Sequence, residues 1–336
     1  MNRSEDMIGP REIGVNTWVW TSPLTTENLG DLADRARRFG FGLLELPVEN
    51  PGDWDPNSAA EVLAGYGMGA RIAGAMGPGR DLIDPLYRAD TQDYLRHCVD
   101  VALTVGSPTV AGPFTAATGR VWRMDADDRS RVVEVLREAL RPVADYAAER
   151  SVTLAVEPLN RYETSIINTV DQALYALEPL LDRGVGLALD SYHLNIEERS
   201  PAAAIRAAGE HCRVVQVCGN DRGAVGGDHT DWDSFLDALD DITYAGPLTL
   251  ESFTADNDTI AVAASIWRPL ARTQDELARS SAEFLTELQL SRASGTGAAG
   301  RNSADGDAAD GDSADRVPAD TSPADKAANI SAREQQ

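Results

Sequence analysis

Three carboxylates and one amide lie at the ends of four successive apolar segments between residues 152 and 251. The four residues are Glu157 after residues 152–156, Asp190 after 184–189, Gln216 within 213–217, and Glu251 after 247–250. Separate salt bridges would need four nearby cations, whereas these segments supply mainly Arg161 and Arg222. Carboxylate and amide oxygens are hard ligands of the kind that hold Mn²⁺ or Mg²⁺. The pattern therefore predicts a divalent metal site.

Such a site suits proton transfer next to a carbonyl group. A metal that binds a ketone oxygen and an adjacent hydroxyl acts as a Lewis acid and stabilises an enediolate. One carboxylate then removes the proton from the adjacent carbon, and a second on the opposite face returns it with inversion. Glu157 and Glu251 follow different predicted strands, so we expect them to flank a bound substrate that carries these groups.

The segment before Glu157 indicates how these residues are positioned. Residues 152–156 form an unbroken apolar run, which is typical of a strand buried on both faces of a parallel sheet. Pro158 cannot continue the hydrogen-bonded ladder, so the strand ends beside Glu157. Ligands of α/β proteins bind at the carboxyl ends of strands. Taken alone, Glu157 could equally be a structural partner of Arg161.

The apolar periodicity predicts eight strands that alternate with eight helices. The predicted strands are residues 13–20, 41–46, 70–73, 109–111, 152–156, 184–189, 213–217 and 247–250, and the predicted helices are 24–39, 58–66, 90–105, 126–150, 169–181, 201–208, 232–239 and 260–288. Eight strict alternations favour a (β/α)8 TIM barrel over a doubly wound sheet. We therefore expect a single domain over residues 1–290.

Residues 291–336 differ from the rest of the chain in composition. They are rich in Ala, Asp, Ser and Gly and have almost no large apolar side chain. Such a segment cannot bury enough apolar surface to offset the entropy lost on ordering. We predict a disordered C-terminal tail.

Deletion of residues 293–336 is expected to leave the melting temperature and the activity nearly unchanged, because this segment offers no apolar anchor to the barrel. Differential scanning calorimetry of the full-length and shortened proteins measures the effect. A decrease of several degrees in the shortened protein would show that the segment packs on the folded domain.

The composition of the chain indicates which partners and which cellular location to expect. A formal net charge of -24 disfavours nucleic acids and anionic membranes, which bind proteins through Lys and Arg. The only lysine is Lys326, which excludes Schiff-base chemistry from the predicted barrel. The three cysteines have no metal-type spacing, and the N-terminus has no apolar signal segment. We expect a cytoplasmic protein that acts on a small molecule.

Four motifs together resemble a known enzyme family. They are VEPLNRYE at residues 156–163, LDSYHLNIEE at 189–198, NDRGAVGGDHTDW at 220–232 and LESF at 250–253. The set is similar to the D-tagatose/D-psicose 3-epimerase branch of the xylose-isomerase-like TIM-barrel sugar isomerase/epimerase superfamily. The resemblance covers essentially the whole predicted barrel. It implies a ketose 3-epimerase, an isomerase that acts on carbohydrates.

The resemblance also implies residue roles. One divalent cation, Mn²⁺ in the first place with Mg²⁺ or Co²⁺ as alternatives, would be held by Glu157, Asp190, Gln216 and Glu251. Glu157 and Glu251 would be the two acid/base groups. The substrate oxygens would be bound by Glu163, His193 and Arg222. One departure affects the expected substrate, because the epimerases usually have a histidine where this chain has Gln216.

Other functions remain open at this point. A metal-dependent lyase that acts on a 3-oxo-glycoside or related keto compound would use the same enediolate, as in dehydratases or C-glycoside deglycosidase large subunits, and would imply a small partner subunit. Under the epimerase hypothesis, the protein could instead form a homo-oligomer. A nuclease of the same fold would need a histidine-rich zinc cluster and a basic face, which four histidines and the negative charge disfavour.

Overall fold

The structure is a computed structural model that describes residues 9–181 and 183–294. Its eight strands are β1 (Ile13–Asn16), β2 (Leu43–Val48), β3 (Gly69–Gly74), β4 (Thr109–Gly112), β5 (Thr153–Val156), β6 (Val185–Asp190), β7 (Cys212–Val217) and β8 (Leu248–Leu250). Each strand pairs in parallel with its neighbours in sequence, and β1 pairs with β8 to close the ring. The predicted TIM barrel is confirmed.

Within the described residues, ten α-helices surround the barrel or lie in its loops. They are α1 (Thr26–Arg38), α2 (Pro56–Tyr66), α3 (Arg88–Val105), α4 (Ala126–Ala148), α5 (Val170–Leu177), α6 (Ser191–Glu197), α7 (Pro201–Ala208), α8 (Trp232–Asp241), α9 (Asp258–Ala263) and α10 (Gln274–Ala293). The residue before every one of these helices except α3 is Ser, Thr, Asp or Asn, and its side chain accepts a backbone N–H of the first turn. Each such cap contributes about 1 kcal/mol.

The first strand is shorter than predicted. It ends at Asn16, and a 3-10 turn occupies Thr17–Val19, where the sequence indicated a strand to residue 20. The reason is local, because the side chain of Asn16 accepts the backbone N–H of Trp18 at 2.9 Å and starts the turn. Asn16 is also fully buried, and its side-chain nitrogen Nδ2 donates to the carboxylate of Glu45 inside the barrel.

The helices differ from the prediction at two places: α6 was not predicted, and the predicted helix over residues 260–288 is interrupted. Helix α6 follows β6 directly because the carboxylate of Asp190 accepts the N–H of Tyr192 at 3.0 Å. The predicted last helix is instead α9 and α10, separated by a loop whose final residue, Thr273, caps α10. Helix α10 continues to Ala293, beyond the expected domain limit at residue 290.

The interior of the barrel is divided into an apolar and a polar part. Four small apolar side chains from β4 to β7 pack together there: Ala111, Ala155, Ala188 and Val214. The opposite part, from β7, β8 and β1 to β3, carries buried polar side chains: Asn16, Glu45, Arg71, Gln216 and Thr249. The outer faces of the strands and the helices form the main hydrophobic core. The polar part therefore lies within a rigid, water-excluding shell.

The remaining sequence predictions concern the termini and the membrane. The predicted disordered tail falls, from residue 295 onward, outside the described residues and stays a prediction. None of the helices in the described part of the chain has the length and apolar character that crossing a membrane requires.

Candidate active site

The four predicted metal ligands converge at the carboxyl end of the barrel. Glu157, Asp190, Gln216 and Glu251 are all buried, with exposed fractions of 7%, 1%, 2% and 5%. Asp190 and Gln216 are register partners on β6 and β7. The amide nitrogen Nε2 of Gln216 donates to Oε1 of Glu251 at 2.9 Å. Closure of the ring thus brings together residues that are up to 94 positions apart in sequence, from 157 to 251.

Arg222 lies among the same carboxylates. Its Nη1 donates to Oδ2 of Asp190 and, at 3.0 Å, to Oε2 of Glu251. The guanidinium also lies over the ring of Tyr192, 4.1 Å from the ring centroid. Arg222 is 5% exposed, so these contacts form in a nearly dry environment. One guanidinium offsets only one of the three carboxylates of the cluster. The other two carboxylates carry the negative charge that a divalent cation would balance.

The loop after β7 holds Arg222 in an unusual backbone conformation. Its φ is 68°, in the left-handed region that residues other than glycine rarely adopt. Ser252, which follows Glu251, donates its hydroxyl to the carbonyl of Arg222 at 2.5 Å. A conformation that costs about 1–3 kcal/mol is thus fixed by a neighbouring strand end, as is common at functional sites.

Arg161 takes no part in this cluster. Its guanidinium pairs with the carboxylate of Glu197 at 2.9 Å, and the arginine side chain is 61% exposed. The alternative interpretation of Glu157 as a structural partner of Arg161 is therefore wrong. The carboxylate oxygen Oε1 of Glu157 is buried and has no hydrogen-bond partner among the described residues.

His193, in the first turn of α6, faces a hydrogen-bond donor at each ring nitrogen. The backbone N–H of Asn160 lies 3.0 Å from its Nδ1 and can only donate, so Nδ1 accepts. Nε2 lies 3.1 Å from Nη2 of Arg222, which also can only donate, and 3.4 Å from Oε1 of Glu157. Burial, and then the charge of Arg222, lower the pKa of His193 well below its ordinary value, which keeps the ring neutral.

These contacts bear on the metal ligands. Atoms of Glu157, Asp190 and His193 lie within 4.8 Å of one another, so distance alone permits a cation between them. However, Nδ1 is engaged by the backbone N–H of Asn160 and Nε2 by the guanidinium of Arg222, so neither ring nitrogen is free to coordinate. The geometry agrees with a substrate-binding role and disfavours a ligand role.

Glu163 lies at the edge of the cluster. Its Oε1 accepts the side-chain amide of Asn160 at 2.7 Å, so Asn160 contacts both Glu163 and His193. Burial raises the pKa of Glu163, and the charge of Arg222 opposes that rise. All three predicted substrate-binding residues, Glu163, His193 and Arg222, therefore surround the same carboxylates.

The two predicted acid/base groups have perturbed proton affinities. Burial raises the pKa of Glu157 well above its ordinary value, and the charges of Glu251 and Asp190 add to that effect. Burial also raises the pKa of Glu251, although Arg222 partly opposes the rise. Carboxyl groups whose pKa lies nearer neutrality are better proton donors and acceptors at physiological pH.

The donor set fits a hard divalent cation. Within the described residues, Oε1 of Gln216 and Oε1 of Glu157 are both buried and both without a hydrogen-bond partner. A buried polar atom without a partner costs about 1–3 kcal/mol, which a cation would offset. All four candidate ligands offer oxygen atoms, in agreement with Mn²⁺, Mg²⁺ or a similar ion.

Two buried charged residues beneath the site were not among the predicted site residues. Glu45, fully buried on β2, is paired with Arg71 on β3 at 3.6 Å. Glu45 is also bonded to Asn16 and Gln216. The available signal was a charged residue inside an otherwise apolar strand, in Leu-Leu-Glu-Leu and again in Ala-Arg-Ile-Ala.

Comparison with known proteins identifies the family of the chain. Residues 33–288 match the family described as Xylose isomerase-like TIM barrel. The chain belongs to this family. L-ribulose 3-epimerase of Methylomonas sp. (strain DH-1) is a relative with 30% identity over 280 residues, which make up 82% of this chain and 97% of that protein. Ketose 3-epimerase of Arthrobacter globiformis is also 30% identical over 280 residues, with 82% and 96% covered.

Solved structures of the family show the same fold. A structure of L-ribulose 3-epimerase superimposes with a TM-score of 0.78 at 28% identity and covers 87% of this chain and 99% of that chain. The D-allulose 3-epimerase from Methylomonas sp., in complex with D-allulose, gives a TM-score of 0.75 at 29% identity and covers 84% and 99%. The predicted family and the predicted enzyme class, a sugar isomerase of the epimerase type, are confirmed.

Proposed function

We propose that the protein is a metal-dependent ketose 3-epimerase that transfers protons through Glu157 and Glu251. The observation that carries the proposal is the convergence of three buried carboxylates and Gln216 at the barrel rim, with two oxygens of the set lacking any partner in the described chain. Relatives named L-ribulose 3-epimerase and ketose 3-epimerase support the substrate class and favour epimerisation over the lyase alternative.

The positions of the two glutamates suit inversion at one carbon. Glu157 follows β5 and Glu251 follows β8, three strand positions apart in a closed ring of eight, so they approach the centre from different walls. A hard divalent cation, when bound by Glu157, Asp190, Gln216 and Glu251, would supply Lewis-acid stabilisation of negative charge. One glutamate removes the proton from C3 of the ketose, and the other delivers a proton to the opposite face of the enediolate.

The remaining residues of the site would hold the substrate. Arg222 has donors beyond those used by Asp190 and Glu251, so it can bind oxygens that become more negative in the enediolate. His193, whose Nε2 lies 3.1 Å from Nη2 of Arg222, would bind a neighbouring substrate oxygen. Glu163, fixed by Asn160, can accept from a sugar hydroxyl. These contacts would keep C3 between the two carboxyl groups throughout the reaction.

Turnover in D₂O tests the proposal. The carboxyl group that delivers the proton is not the one that removes it and has exchanged with solvent before the reaction, so product formed by two-base transfer should carry solvent deuterium at C3. Nuclear magnetic resonance of the product from a panel of ketoses detects both the change of configuration and the label. The same assay on protein treated with EDTA, before and after addition of Mn²⁺, is expected to show loss and recovery of turnover.

Two outcomes would contradict the proposal. Fully converted product without deuterium at C3 would indicate hydride transfer and exclude the two-glutamate route. Undiminished turnover by protein whose metal content has been shown to be negligible would exclude the role of the cation.

A further inference from the structure

Glu45 is a buried carboxylate that the proposed reaction does not use. It lies inside the barrel on β2, with none of its surface exposed. Its Oε1 accepts the side-chain amide of Asn16 at 2.8 Å and that of Gln216 at 2.9 Å. A buried charge is costly, so a carboxylate with this placement calls for an explanation beyond packing.

The contacts of Gln216 fix the orientation of its amide group. Nε2 faces two carboxylate oxygens, Oε1 of Glu45 and Oε1 of Glu251, each at 2.9 Å. Ionised carboxylates only accept hydrogen bonds, so the NH₂ group must point toward them and the carbonyl oxygen away. The atom left over is Oε1 of Gln216, which is buried and has no partner among the described residues.

Glu45 itself is held in place from its other side. Nη1 of Arg71, on β3, lies 3.6 Å from Oε2 of Glu45 and donates to the hydroxyl of Thr249 at 2.6 Å. Asn16, Glu45 and Arg71 are register partners on β1, β2 and β3, so their side chains enter the barrel at one level. Arg71 compensates the charge of Glu45 without contacting the proposed metal ligands in any hydrogen bond or ion pair of the described chain.

We propose that Glu45 is a positioning residue that selects which atom of Gln216 faces the cation. The inference rests on the proposed function, since it takes Gln216 as a ligand. An amide has a donor end and an acceptor end, and only the acceptor end can coordinate a cation. Glu45 and Glu251 each accept one of the two N–H groups of the Gln216 amide. Of these two glutamates, Glu45 is not itself a proposed metal ligand. This chain therefore uses a glutamine as a ligand because a buried acid orients it.

A double-mutant cycle between Glu45 and Gln216 tests the inference. Isothermal titration calorimetry of Mn²⁺ binding to EDTA-treated protein gives the affinity of four proteins: the unmodified chain, Glu45→Asp, Gln216→Ala and the double variant. Aspartate keeps the charge but withdraws the oxygen from Gln216. We expect Glu45→Asp to weaken Mn²⁺ binding about 10–100-fold, the usual effect of losing a residue that orients a metal ligand.

The effect should depend on Gln216. In the Gln216→Ala background, Glu45→Asp is expected to change the affinity by less than about threefold, because there is no amide left to orient. Thr249→Val is the matched control: it removes a hydrogen bond of Arg71 but none of the hydrogen bonds of Gln216. We expect its affinity for Mn²⁺ to match that of the unmodified protein.

The outcomes separate this inference from the proposed function. Equal losses on Glu45→Asp with and without Gln216 would mean that Glu45 acts by charge or packing, and would overturn only the inference. Unchanged affinity in Gln216→Ala would remove Gln216 from the ligand set and overturn the inference with it, as would a lack of Mn²⁺ binding by the unmodified protein. If Glu45→Asp does not fold, Glu45→Gln in the same cycle decides, since a neutral amide no longer dictates the orientation of Gln216.

Discussion

Replacement of Glu251 by glutamine is expected to lower the rate of epimerisation about 10²–10⁴-fold, the contribution usual for a general acid or base. Glutamine has nearly the same shape and can still accept a hydrogen bond from Gln216, but it cannot exchange a proton at neutral pH. Conversion of ketose by the Glu251→Gln variant, measured at saturating Mn²⁺, gives the effect. Metal content must be measured in parallel, because Glu251 is also a proposed ligand.

Two further measurements assign the loss to proton transfer. A variant that retains Glu157 and the metal should still exchange the C3 proton of one substrate epimer with D₂O, because removal and return on one face need a single base. Glu198→Gln is the matched control, since Glu198 is half-buried and caps the N–H of Val170 away from the cluster. A metal-loaded Glu251→Gln protein with the unmodified rate would exclude Glu251 as an acid/base group.

Replacement of Arg222 by methionine is expected to destabilise the metal-free protein by about 3–5 kcal/mol, the cost of removing one partner from a buried ion pair. The change leaves Asp190 and Glu251 buried next to each other without a compensating charge. Urea unfolding of EDTA-treated protein measures the difference. Arg268→Met is the matched control, because Arg268 and its partner Asp221 are largely exposed and such a pair contributes about 0–1 kcal/mol.

The loss in the Arg222→Met variant should depend on pH and on the cation. Arg222 lowers the pKa of Glu251, which burial raises, so its removal raises that pKa further. When the pKa of Glu251 is raised in the folded state, the protonated form favours folding. The loss of stability is therefore full at pH values above the pKa of Glu251 in the folded protein. It declines as the pH falls from there toward the pKa of an ordinary glutamate. Bound Mn²⁺ should restore much of the stability by mass action. A variant within 1 kcal/mol of the unmodified protein at neutral pH would contradict the charge balance described for the cluster.

The strand ends of the site could be predicted from sequence because each follows an apolar run. A parallel strand inside a barrel contains few polar residues, so the first carboxylate or amide at its end stands out, as Glu157 and Glu251 do. The alternation of eight such runs with helical segments then determines the barrel, and the barrel determines that these ends meet. Local capping, as at Asn16 and Asp190, decided the element boundaries that the periodicity missed.

Only the tertiary structure determined which hydrogen-bond partners the polar atoms of the site have and how their groups are oriented. Glu45 and Gln216 are 171 positions apart, and no pattern in either strand indicates that one orients the amide of the other. The ring nitrogens of His193 face a backbone N–H of Asn160 and the guanidinium of Arg222, which sequence patterns do not place there. Sequence periodicity specifies which residues face the interior of the barrel. Hydrogen bonds across the interior specify which atom each residue presents, because they form only after the ring has closed and water has been excluded.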